Sequence, residues 1–523
     1  MVIERLKSYA VSGAWRADGV ALITGALLPL AFAPFGAFPL AILSPAVLFL
    51  LWRGCPPGRA AWRGFLYGLG YFGVGGSWIY VSMHTYGGMP PPLAALIVVV
   101  FTSYLASYSA LHGWLQARLF PLAEERRRLW VLPALWTLVE WLRGWLLSGF
   151  TWLQLAYSQI ETPLSGFAPW LGAYGVSYVT ALCAGLLALA WHRRARKRTV
   201  ALALASAAGL WVLGALAIQV PWTQPVDKPL RVALVQANVD IKDKWLSANR
   251  NAIADRYLRL TFTGEDIDLA IWPESAIPAY RDELEADFLP MLKSLTAARG
   301  MGLVFGTVER QLAGDEKIYY NSAISIGEHD GVYRKHHLVP LGEFLPFPWA
   351  LRWLLDFLHI PMSNFSTGPA QQAPLMAAGQ KIAVSICYEG TFGEEIIRAL
   401  PEATLLVNIS EDAWFGDSLA PHQHLEIVRL RAVETGRSLL RATNTGISAI
   451  VDPRGRIVAR TKQFQAEVLT GTVQPMRGAT PYVRFGNYPI ITGLSLLLLV
   501  IGIAGVLKNS TQWREDARKE NQN

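Results

Sequence analysis

The chain has 523 residues, of which 52% are hydrophobic and only 16% are charged, and its mean hydropathy is +0.28. Soluble proteins carry charge on about a quarter of their residues, so this composition excludes an ordinary soluble enzyme and predicts membrane spans. Residues 227–477 hold 26 basic and 30 acidic side chains, so the net charge of +8 comes from the hydrophobic remainder. A basic excess in the apolar part indicates orientation in a membrane. No nucleic-acid-binding motif accompanies it, and we expect no nucleic-acid partner.

Eight apolar runs approach the length of a membrane span, roughly 17–25 residues. Seven fill the first 220 positions and the eighth lies near the carboxyl end: 19–35, 38–52, 64–83, 91–116, 129–149, 166–191, 200–220 and 488–507. We therefore expect a polytopic α-helical membrane protein. Its parts would be a seven-span membrane domain (1–220), an inserted outer domain (221–487), an eighth span (488–507) and a polar cytoplasmic tail (508–523).

Basic residues in the connecting loops predict the orientation. They occur before the first span, after the second, fourth and sixth spans, and after the eighth, as in the run RRARKR at 193–198. The loops near 84–90 and 150–165 contain no Lys or Arg. By the positive-inside rule, both termini lie in the cytoplasm and the 221–487 domain faces the periplasm from a bacterial inner membrane.

Residues 228–475 have a different pattern. Short apolar runs, among them RVALVQANV, DLAIWPE and KIAVSICYE, alternate with helical stretches such as 420–437. This alternation predicts an α/β domain with buried strands. The runs SAISI and GVYRKHHL, joined by GEHD, predict a hairpin.

Three motifs in this domain carry residues suited to covalent catalysis. WPESAIP contains Glu274, YRKHHLVPLGEF contains Lys335 and Glu343, and SICYEG contains Cys387. Glu274 and Cys387 follow apolar strands, and ligand sites of α/β sheets lie at the carboxyl ends of strands. A thiol is only slightly ionised at neutral pH, so a carboxylate can serve as its general base. A buried ammonium can stabilise the thiolate and the oxyanion of a tetrahedral intermediate.

The cysteine count favours a functional thiol. Cys55 lies in a predicted inner loop, Cys183 lies in a predicted span, and only Cys387 lies in the outer domain. The three cysteines show neither a CxxC pair nor a metal-binding spacing, so we expect neither a disulfide nor a zinc site. The alternative, that Cys387 is a small buried hydrophobe on a strand, weakens once Glu274 and Lys335 are considered.

The Glu, Lys and Cys motifs, in this order, resemble those of the nitrilase superfamily. Together with the flanking spans, nearly the whole chain resembles the apolipoprotein N-acyltransferases. The resemblance implies an αββα sandwich with a triad of Glu274 as general base, Lys335 as stabiliser and Cys387 as nucleophile. Further positions match residues that support the triad or bind substrate in the family: Glu343, Tyr388, Glu389 and Trp245.

The resemblance also implies a two-step transfer without a cofactor. A phospholipid, typically phosphatidylethanolamine, would give its sn-1 acyl chain to Cys387 as a thioester. The α-amino group of the N-terminal diacylglyceryl-cysteine of an apolipoprotein would then take the acyl chain as an amide, in the last step of lipoprotein maturation. We expect the enzyme to be a monomer.

Several other features allow two interpretations. The apolar segment 347–362 is either core or a mobile arm at the membrane surface, and 411–417 is either a second lid or an ordinary loop. The intramembrane Glu140 and Arg143, at i,i+3 spacing, are either functional or paired with each other.

Two groups of polar residues suggest no catalytic role. Neither His336 and His337 nor His422 and His424 share a helix face, so we predict no metal site. The other group consists of charged residues, which we predict to form a helix face with internal ion pairs: Arg429, Arg431, Glu434, Arg437 and Arg441.

Two other functions compete with acyl transfer. A membrane-anchored amidase or nitrilase would share the three motifs but would need neither the apolar segment 347–362 nor seven preceding spans. A transporter with an accessory outer domain is disfavoured, because the spans show no inverted repeat and few intramembrane charges.

Overall fold

The architecture is described from a computed structural model of the chain. The structure describes residues 14–120, 125–264, 266–314, 316–327, 330–345, 349 and 364–520. Within these ranges, helices dominate the first 217 residues and the carboxyl end, and two six-stranded β-sheets and a two-stranded one lie between them. The predicted arm at 347–362 lies outside the described residues except for Trp349, whose side chain is exposed.

A helix occupies each of the eight predicted runs: α1 (Ala14–Leu27), α2 (Leu40–Leu51), α3 (Pro57–Gly75), α4 (Pro91–Leu119), α5 (Glu125–Arg143), α6 (Ala168–His192), α7 (Lys197–Ala217) and α11 (Tyr488–Glu520). Three helical segments are long and apolar enough to cross a membrane, namely Pro91–Leu119, Pro163–His192 and Lys197–Ala217. Helix α2 has 12 residues. At 1.5 Å per residue it spans about 18 Å of a bilayer core about 30 Å thick. The number of eight spans therefore stays a prediction.

Small residues allow the first helices to pack closely. A Cβ added at Gly64 or Gly68 of α3 would collide with the backbone of α4 at Ser109 or Ala106, and one at Gly70 would collide with α1 at Leu22. Close backbone approach through glycine is typical of helix pairs in membranes. This packing joins α1, α3 and α4 into one group.

The described residues between 223 and 478 form fourteen strands: β1 (Thr223–Pro225), β2 (Leu230–Gln236), β3 (Leu269–Ile271), β4 (Gly302–Ala313), β5 (Glu316–Ile326), β6 (Gly331–Arg334), β7 (Leu375–Ala377), β8 (Gln380–Ile386), β9 (Leu405–Ser410), β10 (Leu439–Thr443), β11 (Ala449–Val451), β12 (Ile457–Arg460), β13 (Glu467–Val473) and β14 (Met476–Gly478). β1 pairs with β14, and the other twelve strands form two six-stranded sheets. One sheet has the order β13-β2-β3-β4-β5-β6 and the other β12-β11-β10-β9-β8-β7. The parallel strands β2, β3 and β4 lie in the first sheet and the parallel strands β8, β9 and β10 in the second, and the remaining pairs are antiparallel.

The sheets pack face to face with helices outside them. Alternate apolar residues of both sheets, such as Val232 and Val384, share one buried cluster. Helices α8 (Arg250–Phe262) and α9 (Phe288–Arg299) cover the first sheet, and α10 (Ala420–Thr435) covers the second. This four-layer arrangement confirms the predicted αββα sandwich. The antiparallel pairing of β5 with β6, with Ser322 opposite Arg334, confirms the predicted hairpin.

The prediction that five charged residues form one helix face is wrong for Arg429, Arg431, Glu434, Arg437 and Arg441. All five residues are buried, Arg437 follows the end of α10, and Arg441 lies in β10. The internal ion pair does exist, because Arg431 Nε lies 2.9 Å from Glu434 Oε2. The second oxygen of Glu434 accepts a hydrogen bond of 2.7 Å from the Ala173 amide of α6. Helix α10 is thus enclosed between its sheet and the membrane helices, which a polar sequence alone does not indicate.

Candidate active site

The three motif residues follow three different strands. Glu274 lies three residues after β3, Lys335 directly follows β6, and Cys387 directly follows β8. β3 and β6 belong to one sheet and β8 to the other, so the site forms where the two sheets meet at one end of the sandwich. The structure brings the predicted residues together. Electrostatic interactions link Lys335 with Cys387 and with the carboxylates of Glu274 and Glu343.

Lys335 is the centre of a buried charge cluster. Its Nζ donates to Glu343 Oε1 at 2.8 Å and lies 3.5 Å from Glu274 Oε1. The amide of Asn321 bridges the two carboxylates, donating to Glu274 Oε1 at 2.7 Å and to Glu343 Oε1 at 2.8 Å. The second oxygen of Glu343 accepts from the Val339 amide at 2.8 Å. The segment after Lys335 thus turns back and brings Glu343 beside it.

The other side of Glu274 is held by residues that the sequence did not reveal. Its Oε2 accepts from the Glu411 amide at 2.8 Å, and its backbone carbonyl accepts from Lys244 Nζ at 3.3 Å. Lys244 also binds the Glu411 carboxylate at 2.5 Å, and Asn444 donates to both oxygens of that carboxylate. Asn321 could have been noticed in the sequence, since an amide beside the apolar run SAISI is unusual in a buried strand. Nothing in the sequence marks Lys244 or Glu411 as a partner of Glu274.

Burial and charge set the protonation of the lysine and the thiol. Burial lowers the pKa of Lys335, but the carboxylates of Glu343 and Glu274 outweigh it and hold that pKa above its ordinary value. Lys335 is therefore an ammonium at neutral pH. Burial, reinforced by Glu274, raises the pKa of Cys387 well above its ordinary range, and Lys335 only partly opposes this. The resting cysteine is a thiol and needs a base at the moment of attack.

The backbone at Cys387 is strained. Its φ angle is +51°, in the left-handed region that residues other than glycine rarely adopt. Glu389 holds the chain around it, because Oε2 accepts from the Ile386 amide at 2.8 Å. Its Oε1 accepts from the Tyr333 hydroxyl and from the His336 and His337 amides. Burial raises the pKa of Glu389 to about 7, against the effect of these donors.

Tyr388 connects the nucleophile to the membrane part of the chain, which comprises residues 14–220 and helix α11. Its hydroxyl donates to the Gly149 carbonyl at 2.7 Å, and its ring stacks on Trp152 at 5.8 Å. Ser148 and Gly149 belong to the segment that follows α5, and the Ser148 carbonyl lies 2.8 Å from His337 Nε2. The membrane part therefore contributes backbone and one aromatic ring to the site.

Glu140 and Arg143 hold this same segment. Arg143 donates to the carbonyls of Phe150 and Trp152 at 2.8 and 2.6 Å. Glu140 Oε1 accepts from the Leu155 amide at 3.1 Å and from Trp136 Nε1. Among the described side chains the two form no ion pair within 4.0 Å of each other. Of the two interpretations left open by the sequence, direct pairing is therefore not observed, and both side chains instead bind the segment after α5.

The remaining predicted positions lie around the cluster. Trp245 adjoins the buried Lys244 and is itself 39% exposed. The 411–417 loop is packed against the rest of the protein. Its Glu411 and Asp412 are buried, and the Trp414 carbonyl accepts a hydrogen bond from Ser82 Oγ at 2.9 Å. Phe415 packs edge-on against Trp78 of the membrane part at 5.0 Å. Within the described ranges no three His, Cys, Asp or Glu side chains are grouped to hold a metal ion.

Comparison with known proteins gives consistent results over both parts of the chain. Residues 24–186 match the apolipoprotein N-acyltransferase N-terminal domain, and residues 231–482 match the carbon-nitrogen hydrolase domain. The apolipoprotein N-acyltransferase of Methylococcus capsulatus is 45% identical over 489 residues, which are 93% of this chain and 95% of the relative. That of Nitrosomonas europaea is 43% identical over 493 residues, which are 93% of this chain and 96% of the relative. The chain therefore belongs to the apolipoprotein N-acyltransferase family.

Proposed function

We propose that the protein moves a fatty acyl chain from a phospholipid, through a thioester on Cys387, to the amino-terminal diacylglyceryl-cysteine of apolipoproteins. The observation that carries the proposal is the buried Lys335 ammonium held between Glu274 and Glu343, next to a thiol on a strained turn. These groups match the needs of acyl transfer, which are a base, a cation for the oxyanion and a nucleophile. Phosphatidylethanolamine is the donor we favour.

In the first step Glu274 takes the proton from the Cys387 thiol as sulfur attacks the ester carbonyl. The carbonyl oxygen becomes an oxyanion, which the Lys335 ammonium stabilises. Collapse of the intermediate breaks the ester C–O bond, and the departing lysophospholipid oxygen takes the proton back from Glu274. The products are the Cys387 thioester and the lysophospholipid, and Glu343 keeps Lys335 charged and in place.

In the second step the α-amino group of the acceptor attacks the thioester carbonyl. The same ammonium stabilises the oxyanion, Glu274 accepts a proton from the amine, and the C–S bond breaks. The thiolate takes the proton from Glu274, which restores the thiol and leaves an amide on the acceptor. Between the steps the thioester must be kept from water, and the aromatic contacts of Tyr388 with Trp152 support such exclusion.

We further propose the arrangement in the cell. The eight helices would span a bacterial inner membrane, with domain boundaries at 220/221, 487/488 and 507/508 and the catalytic domain in the periplasm. Exposed apolar residues on α4 and α7, such as Val99 and Leu202, support contact with lipid tails. Trp245 would lie where the acyl donor enters, and the enzyme would act as a monomer.

Intact mass spectrometry tests the covalent step. Enzyme mixed with phosphatidylethanolamine and no acceptor should gain one acyl mass that hydroxylamine removes. Cys387→Ser should gain none, whereas the matched control Cys55→Ser should load normally, because Cys55 lies in the loop between α2 and α3. A diacylglyceryl-cysteine peptide should discharge the adduct into an amide. Release of free fatty acid without acceptor would instead indicate a hydrolase, and the lack of any adduct would refute the thioester.

A further inference from the structure

A second buried polar cluster binds the main chain of the proposed nucleophile. The Cys387 carbonyl lies 3.2 Å from His424 Nε2 and 3.4 Å from Asn408 Nδ2. His424 lies on α10 and Asn408 on β9, and both side chains are fully buried. Neither residue contacts Lys335, Glu274 or Glu343 through a described hydrogen bond. His424 and Asn408 therefore act on the backbone of Cys387 and not on the charge cluster around Lys335.

The cluster closes on itself. His424 Nδ1 lies 3.1 Å from Asp412 Oδ1, and Arg441 Nη2 lies 2.7 Å from Asp412 Oδ2. The other terminal nitrogen of Arg441 donates to Asn408 Oδ1, and Asn408 Nδ2 leads back to the Cys387 carbonyl. Ser410 also donates to Asp412 at 2.9 Å. Since each member holds the next, the ring of His424 has one fixed orientation.

The proton on the ring is determined by its partner. A carbonyl oxygen only accepts hydrogen bonds, so Nε2 of His424 must carry a proton. Nδ1 then either accepts from Arg441 Nη2 at 3.0 Å in a neutral ring or donates to Asp412 in a charged one. Burial and the Arg441 charge lower the pKa of His424, which favours the neutral ring. In both forms the bond to Cys387 is the same.

We propose that His424 is a positioning residue for acyl transfer: its Nε2–H, oriented by the Arg441 guanidinium that Asp412 holds in place, binds the Cys387 carbonyl and thereby aims the thiol at the acyl carbonyl. The inference rests on the proposed role of Cys387 as nucleophile. A φ of +51° persists only where surrounding contacts hold it. Without the His424 bond the turn can relax, so the thiol remains present but is misaligned with Glu274 and Lys335.

Two substitutions separate the hydrogen bond from the packing. His424→Phe keeps a ring against Trp152, whose ring lies 5.3 Å from that of His424, but removes the donor. His424→Gln keeps an amide donor near the place of Nε2. We expect His424→Phe to slow acyl loading roughly 10- to 100-fold, the loss typical of a misplaced reacting group. His424→Gln should recover most of the rate.

Acyl loading is followed by intact mass spectrometry over time at several phosphatidylethanolamine concentrations. The loss in His424→Phe should lie in the maximal loading rate and not in the lipid concentration at half-maximal rate. Alkylation of Cys387 by iodoacetamide should stay within about threefold of wild type, because a small shift of the turn leaves the thiol accessible and near Glu274 and Lys335, and alkylation needs no alignment with an ester carbonyl. A merely structural role would change loading and alkylation together.

Wild-type loading in His424→Phe would overturn the inference, and so would equal losses in His424→Phe and His424→Gln with both variants folded. If His424→Phe does not fold, His424→Asn takes its place, because its amide is too short to reach the carbonyl. Cys387→Ala, measured in parallel, tests the proposed function separately. Acyl loading in that variant would refute the nucleophile itself, whatever the His424 variants do.

Discussion

Glu389→Gln tests how the chain around Cys387 is held. The carboxylate accepts four hydrogen bonds, three at Oε1 and one, of 2.8 Å from the Ile386 amide, at Oε2. A glutamine has only one acceptor oxygen. That oxygen can serve the three donors, but then the amide NH₂ faces the Ile386 N–H and leaves it without an acceptor. A buried donor left unsatisfied costs about 1–3 kcal/mol.

The loss should appear in rate and also in stability, which is compared at acidic pH, where Glu389 keeps its proton and the substitution removes no buried charge. For a domain of about 250 residues it lowers Tm by roughly 2–4 °C per kcal/mol. Because Ile386 immediately precedes Cys387, we also expect acyl loading to slow roughly 10- to 100-fold. Thermal melting in detergent and time-resolved intact mass spectrometry measure the two effects.

Glu394→Gln is the matched control, five residues along the same segment. Glu394 is exposed, and its carboxylate accepts only a hydrogen bond of 3.3 Å from the Asn487 amide among the described contacts. Its substitution should change stability by less than about 0.5 kcal/mol and leave loading unchanged. If Glu389→Gln melts and loads like Glu394→Gln, the argument that Glu389 holds the Ile386 amide is refuted.

Three other predictions concern charge and topology. Lys335→Ala and Glu274→Ala should each nearly abolish acyl loading. The double variant should be little worse, because the effects of substituting groups that act together do not add. Near-normal loading in either single variant would refute the role of that residue. Glu389, with its pKa raised to about 7 from 4.5, keeps its proton longer in the folded state. Wild-type stability should therefore fall by at most about 3 kcal/mol as pH rises from about 4.5 through about 7, and then level off. Glu389→Gln lacks this fall, so its stability deficit should be largest at acidic pH and shrink above the window. Parallel pH profiles of the two proteins would contradict the prediction. Reporter fusions after Arg63, Arg128 and Arg198 should report the cytoplasm and one near Asp240 the periplasm, whereas a cytoplasmic signal at Asp240 would reverse the proposed topology.

The sequence was sufficient for the parts of the site that depend on local pattern. Cys387 follows an apolar run bounded by turn residues, which is how a buried parallel strand appears in sequence. The strand β8 ends at Ile386, one residue before it. Glu274 was found for the same reason, as a polar residue just beyond β3, whereas Lys335 was found through its motif and lies directly after β6.

The sequence was insufficient where a residue's role depends on which layers enclose it. Helix α10 reads APHQHLEIVRLRAVET, and its many polar residues indicate an exposed face. In the structure Arg431 and Glu434 are buried because membrane helix α6 covers the side that a soluble domain would expose to water. Lys244 was missed similarly, because its partner Glu411 is 167 residues away along the chain.

The membrane part is more than an anchor for the site. The Tyr388 hydroxyl bonds to Gly149, and Trp152 contacts the rings of both Tyr388 and His424. Arg143 of α5 fixes the backbone on both sides of Thr151, through the carbonyls of Phe150 and Trp152. A side chain inside a predicted span thus determines where Tyr388 and His424 pack, and these two residues flank Cys387 in sequence or in space. Because one buried cluster also includes Leu155 of the membrane part and Leu430 of α10, the αββα sandwich alone would expose apolar surface and lack part of its site.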